Sequence, residues 1–279
     1  IYAADVNRKK PGKNHVLNLH PEWVTYDRWG KRIDTYTKKL LRNNLLEGTF
    51  LDPGIPDVKN HLMQIVKDVA RRYKVDGIHF DFIRYPWSGL NGYHKRYLKD
   101  FGYNPEARMR FLEQYGVDPV NTSYKKASTK RKLWRQFRRD RITEIVRTCY
   151  EIVKKYKPEI AVSAAVIANA PVVRRVYFQD WKHWIKKGIL DEVFPMSYSQ
   201  FMAEFKKYIK VAKPIKDVLP VFMGVHIKDK TKVRLSASQI RLIYNTGFHG
   251  MCIFSYDHGQ KQIKLLKKLF KDKNILQTR

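Results

Sequence analysis

Val75–Pro86, VDGIHFDFIRYP, decides the fold. Val75, Ile78, Phe80, Phe82 and Ile83 form an apolar, partly β-branched run, which predicts a buried parallel strand over 76–83. The helical pattern before it, about 58–73, ends in a basic turn, so the local order is helix then strand. Asp81 falls late in the strand and Arg84, Tyr85, Pro86 and Trp87 follow at once. A carboxylate, a guanidinium and aromatics at the C-terminal end of a parallel strand occupy the place where α/β folds put their chemistry.

Working outward, the same order repeats. A polar excursion and a short helix near 105–115 lead to a helix at about 132–156. Strands are expected at 160–165, 190–196, 218–225 and 250–256. Helices near 178–187, 202–213 and 236–246 separate them, and a Lys-rich helix closes the chain. Ser236 reads as an N-cap, and Gly247 lies just past the end of that helix. Strands alternating with helices of ten or more residues indicate an α/β fold with a parallel sheet. Five strands follow the first helix, with room for a strand end at residues 1–4, whereas a closed barrel needs eight. An open doubly wound sheet, complete in itself, is the competing architecture.

At 279 residues, 43% hydrophobic and with six Trp, the chain has the material for a real core, read as a single domain over 1–279. No apolar run reaches the length of a membrane span. Cys149 and Cys252 read as buried small hydrophobes, with neither a disulfide framework nor a metal spacing around them. The net charge of +30 favours polyanionic partners, and Lys and Arg crowd residues 124–147. Apolar Leu133, Phe137, Ile142, Ile145 and Cys149 recur there at helical spacing, so this is an amphipathic helix with a basic outer face. Nucleic acid is not the expected partner, because no recognition motif accompanies that helix. Walker, GxSxG and HExxH patterns are missing, so no metal and no cofactor are expected.

DGIHFDFIRYP, with LDPGIPDV at 51–58 and NLHPEW at 18–23, resembles the glycosyl-hydrolase-like 10 family of bacterial TIM-barrel proteins, over about residues 1–260. It is similar, more distantly, to the barrel strand of family-18 chitinases, D-G-x-D-x-D-x-E. Asp76, Gly77 and Asp81 match that pattern, but His79 stands for its middle Asp and Ile83 for its catalytic Glu. The resemblance implies a TIM (β/α)8 barrel whose fourth strand carries Asp81, with the HPEW and LDPG segments in a long loop after the third. On that alignment the first two to three strands are missing and the chain reads as truncated at its N-terminus, in agreement with its lack of an initiator Met. The implied activity is a glycosidase acting on a bacterial polysaccharide, such as peptidoglycan strands. The implied place is extracytoplasmic: periplasm, cell surface or secreted.

A glycosidase needs two acids flanking the bond. Asp81 is the first candidate, with a structural pairing to Arg84 as the alternative. Asp257, at the end of the last strand, is the second, against a role as a loop-capping residue before Gly259. Asp5 is a third, and Asp52 reads as a turn residue before Pro53-Gly54. Arg84 suits a substrate carboxylate. Tyr85, Trp87, Tyr198 and Tyr256 suit stacking on sugar rings, and His79, Asn169 and His226 complete the expected substrate-binding set. A non-catalytic barrel that binds glycans or polyanions is the rival reading, and an anionic wall polymer on the basic surface is the further partner expected.

Overall fold

A computed structural model of the chain describes residues 2–4, 11–36, 48–86, 100–121, 128–228 and 232–271. Trp87, Asp5 and the C-terminal residues after 271 lie outside them. The chain forms two compact units: residues 1–76, 82–160 and 171–189 make the first, and residues 77–81, 161–170 and 190–279 the second.

The second unit holds the sheet. Its strands are β3 Gly77–Phe80, β4 Ala161–Ile167, β5 Glu192–Met196, β6 Phe222–His226 and β7 Gly250–Phe254. All consecutive pairs are parallel: β3 on β4, β4 on β5, and β6 on β7, with a Val193–Val221 bridge and a Val193 N–H to Pro220 carbonyl bond joining β5 to β6. Strands in chain order, joined by helical crossovers, are what the βα repeat predicts. One face of the sheet is sealed, with Val162, Ala164, Val166, Val193, Met223 and Val225 at 0% exposure. Among the described residues no strand covers the outer edges of β3 and β7.

Several expectations are corrected here. The first strand stops at Phe80, because Phe82 takes a left-handed φ of 52° and the Arg84 N–H bonds back to the Phe82 carbonyl, turning the chain out of the sheet. As an edge strand, β3 is also half-exposed rather than buried. Ser236 is not an N-cap: the helix starts at Val233, and Ser236 lies buried one turn inside it. Gly247 does close that helix, with φ at 74°. The expected strand start at Val218 is a turn bonded to Ile215. The expected helix over 178–187 is shorter, Trp181–Lys186, and a further helix, Ala170–Val176, precedes it across left-handed Phe178. Both cysteines are free, and Cys252 on the edge strand β7 is exposed rather than buried.

The first unit is built on two helices, Pro56–Arg72 packed against Thr129–Tyr156, with a Lys59–Glu144 ion pair between them. Arg138, 1% exposed, anchors the long helix. Its guanidinium pairs with Asp100 at 2.5 Å, donates to the Phe101 carbonyl at 2.6 Å and lies 4.0 Å from the centre of the Phe178 ring. A short antiparallel pair, β1 Tyr2–Ala4 with β2 Thr49–Phe50, completes this unit. It leads into the LDPG turn, where Asp52 is fully buried and more than a turn residue. Asp52 accepts from the Thr25 hydroxyl at 2.8 Å and from the backbone N–H groups of Gly54 at 2.9 Å and Asn104 at 3.3 Å. Burial still pushes its carboxyl above the usual range, against the pull of those three donors.

Candidate active site

Strand alternation and register decide which side chains share the unsealed face of the sheet. His79 pairs in register with Ser163, and Ser163 with Glu192. These three therefore occupy one row, and the His79 ring bonds to the Ser163 hydroxyl at 2.8 Å. Asp81 comes two residues after His79 and so returns to the same face, just past the end of β3. Along β5 the face continues through Phe194, whose ring stands edge-on to His79 at 5.0 Å and stacks on Phe222 at 4.8 Å.

Toward the C-terminal ends the face becomes aromatic. Tyr198 lies 5.4 Å from His226 and stacks on Phe254 at 5.6 Å, with an interplanar angle of 18°. Gly224 makes room for this: a Cβ there would come within 2.8 Å of the Pro195 carbonyl oxygen and 3.1 Å of the Tyr198 ring. Phe254 is 54% exposed, which leaves an aromatic surface open to a ligand.

The electrostatics follow from partial burial and nearby charges. Burial lowers the His79 imidazole, while Asp81 and Glu192 act on it in the opposite direction. Burial, then Cys252 and Asp81, raises the Tyr198 hydroxyl, which therefore stays protonated and able to donate. His226 is lowered by burial and by Lys228. Together the face offers one carboxylate beyond β3, a neutral imidazole, a phenol donor and open rings. Among the described residues no three His, Cys, Asp or Glu side chains converge as a metal set.

The sequence candidates divide between the two units. Asp81, His79, Tyr198 and His226 belong to the sheet's unsealed face, and Asn169 is exposed beyond the end of β4. Tyr256 and Asp257 lie in the first turn of the helix Tyr256–Lys271, both exposed. Asp257 is thus a helix-start carboxylate, with Gly259 inside the helix instead of a loop. Arg84 and Tyr85 are corrected: the Phe82 turn carries both into the first unit, where they are buried. Arg84 lies 4.9 Å from the Phe82 ring centre and 5.5 Å from that of Tyr177, and donates to the Tyr85 carbonyl. Tyr85, 1% exposed, packs edge-on to Phe178 and offers no face for a sugar.

Sequence reasoning missed Glu192 and Phe254. Glu192 opens β5, where the register sets it level with His79, on which it acts together with Asp81. The period-2 alternation from Tyr198 back through Met196 and Phe194 reaches Glu192, a signal present in the sequence. Phe254 was hidden in an apolar run, since only an edge position exposes it.

A family model described as Glycosyl hydrolase-like 10 matches residues 4–241. Glycosyl hydrolase YngK of Bacillus subtilis strain 168 is 22% identical over 204 residues, 68% of this chain and 32% of that protein. Glycosyl hydrolase DigH of Escherichia coli K12 is 26% identical over 183 residues, 61% of this chain and 36% of that protein. The chain spans about a third of the length of these curated relatives. Among solved structures, the beta-galactosidase from Bacillus circulans sp. alkalophilus superposes with a TM-score of 0.63 at 12% identity, over 92% of this chain and 44% of that one. The fold is therefore the α/β fold of TIM-barrel glycosidases.

Proposed function

This chain belongs to the glycosyl hydrolase-like 10 family, and from that premise we propose a glycoside hydrolase acting on a bacterial polysaccharide, with peptidoglycan glycan strands as the substrate. The observation that carries the proposal is the shared face of Asp81 with the Tyr198–His226–Phe254 rings. A sugar ring stacked on Phe254 exposes its C–H face to the aromatic surface and leaves its hydroxyl rim to polar groups. Asp81 would stabilise or attack the oxocarbenium-like centre, and the Tyr198 hydroxyl would donate a hydrogen bond to the sugar. The proton donor to the leaving oxygen is a second carboxylate, Asp257 from the sequence reading or Glu192 from the register.

Phe254 and Tyr198 favour one other reading, a barrel that binds glycan without cleaving it, since stacking needs no acid. In either case the protein acts outside the cytoplasm, where its basic surface holds it to an anionic wall polymer. The test is to incubate the chain with glycan strands stripped of stem peptides and to count new reducing ends. Released reducing ends are the expected result. Retention of the chain on the strands without any release would instead establish the binding barrel.

A further inference from the structure

Arg131, Arg135 and Arg139 recur every four residues on the helix Thr129–Tyr156 and so share one of its faces. The segment 171–189 packs on the same helix. Trp184 Nε1 donates to the Thr143 hydroxyl at 2.9 Å, and the Phe178 ring covers Arg138 at 4.0 Å. That segment brings Arg174 and Arg175, whose charges act on the helix: Arg175 on Arg135, and Arg174 on Arg139. Six guanidinium groups, counting Arg138, thus meet three carboxylates. Asp100 binds Arg138, Asp180 binds Arg174 at 2.6 Å, and Asp140 accepts from Gln136 at 2.6 Å.

Arg139 is enclosed and only partly satisfied. It is 8% exposed, its Nη2 donates to the Gln136 side-chain oxygen at 2.6 Å, and its Nε has no hydrogen-bond partner among the described residues. Burial and the facing Arg174 charge pull this guanidinium down to about 10, and the carboxylates of Asp180 and Asp140 offset them only in part. Like charges so enclosed are unfavourable unless an anion joins them. Arg174 and Arg175 are exposed, so the cluster is open at its rim.

We propose that this cluster is a binding site for phosphate groups, held chiefly by Arg135, Arg139 and Arg175. A carboxylate is satisfied by one planar guanidinium fork, whereas guanidinium groups arriving from two segments suit the tetrahedral set of phosphate oxygens. The site lies in the first unit and shares no residue with the sheet's candidate site. It localises the anionic-polymer contact proposed above and rests on that reading for its ligand's source. It is read by binding and not turnover, so failure of the glycosidase reading leaves it standing.

The probes are inorganic pyrophosphate and a poly(glycerol phosphate) chain, titrated calorimetrically at fixed ionic strength. Both are expected to bind saturably. Binding should weaken by about tenfold or more in the Arg135→Gln/Arg175→Gln variant and in the Arg174→Gln/Arg175→Gln variant, which changes exposed residues alone. Tighter binding of the polymer than of pyrophosphate, at equal phosphate, would identify a polymer as the source, and equal affinity a free phosphate compound. The control Lys264→Gln/Lys268→Gln removes the same charge from the exposed face of the last helix and should change little. Equal weakening by the control, or no saturable binding of either probe, would overturn the proposal.

Discussion

Phe82 shows how one residue redistributes a site. Its left-handed backbone ends β3 and commits Ile83, Arg84 and Tyr85 to the first unit. The sequence reads residues 76–83 as one strand because they are largely apolar, and a positive φ at a Phe leaves no mark in composition. Asp81 was legible as a strand-end carboxylate, whereas the burial of Arg84 and Tyr85 was not. Asp52 was underestimated, because the donors that surround it come from residues 25 and 104, far away in the chain. Asp52→Ala would leave the Thr25 hydroxyl and two backbone N–H groups buried without their acceptor. It should lower stability by about 3 kcal/mol or more, read from denaturant unfolding; a loss near zero would contradict the network. His79 yields a prediction with a definite sign. Its imidazole is lowered from 6.5, so the unfolded chain takes up the proton first as the pH falls. The stability it contributes is present above pH 6.5 and is lost as the pH falls through the folded value. Thermal midpoints should therefore drop between neutral and mildly acidic pH, and His79→Gln should flatten that drop. An unchanged slope in the variant would show that the imidazole is not held neutral.

At the scale of elements, the strand order was readable because each strand is an apolar run set off by helices. Their ends were less readable. Val218 and Ser236 fit strand and cap statistics, but the strand starts at Phe222 and the helix at Val233. The edge position of β3 and β7 followed from the resemblance, which leaves two to three barrel strands out of the chain, whereas the exposure of Cys252 and Phe254 was not read from it. Gly224 tests the packing of β5 against β6. Gly224→Ala places a Cβ against the Pro195 carbonyl oxygen, and should cost about 1–3 kcal/mol and displace Tyr198. Full stability in that variant would contradict the close approach. Phe254 tests the stacking surface. Phe254→Ala should weaken glycan binding by about three- to tenfold, measured by affinity electrophoresis, in line with a stacking contribution of about 0.5–1.5 kcal/mol. Undiminished affinity would remove Phe254 from the site.

For the whole molecule, a charge of +30 was legible from composition, but the gathering of six arginines into one cluster needed the packing of two segments to appear. Family membership and the TIM-type fold account for the sheet and its unsealed face. The chemistry assigned to that face depends on Asp81. The most direct test is Asp81→Asn, which keeps the shape of the side chain and removes its charge, with turnover of stem-peptide-free glycan strands and thermal stability measured on the same preparation. The account predicts a fall in turnover on the order of a thousandfold with little change in the midpoint. Turnover near that of the unsubstituted chain would contradict it.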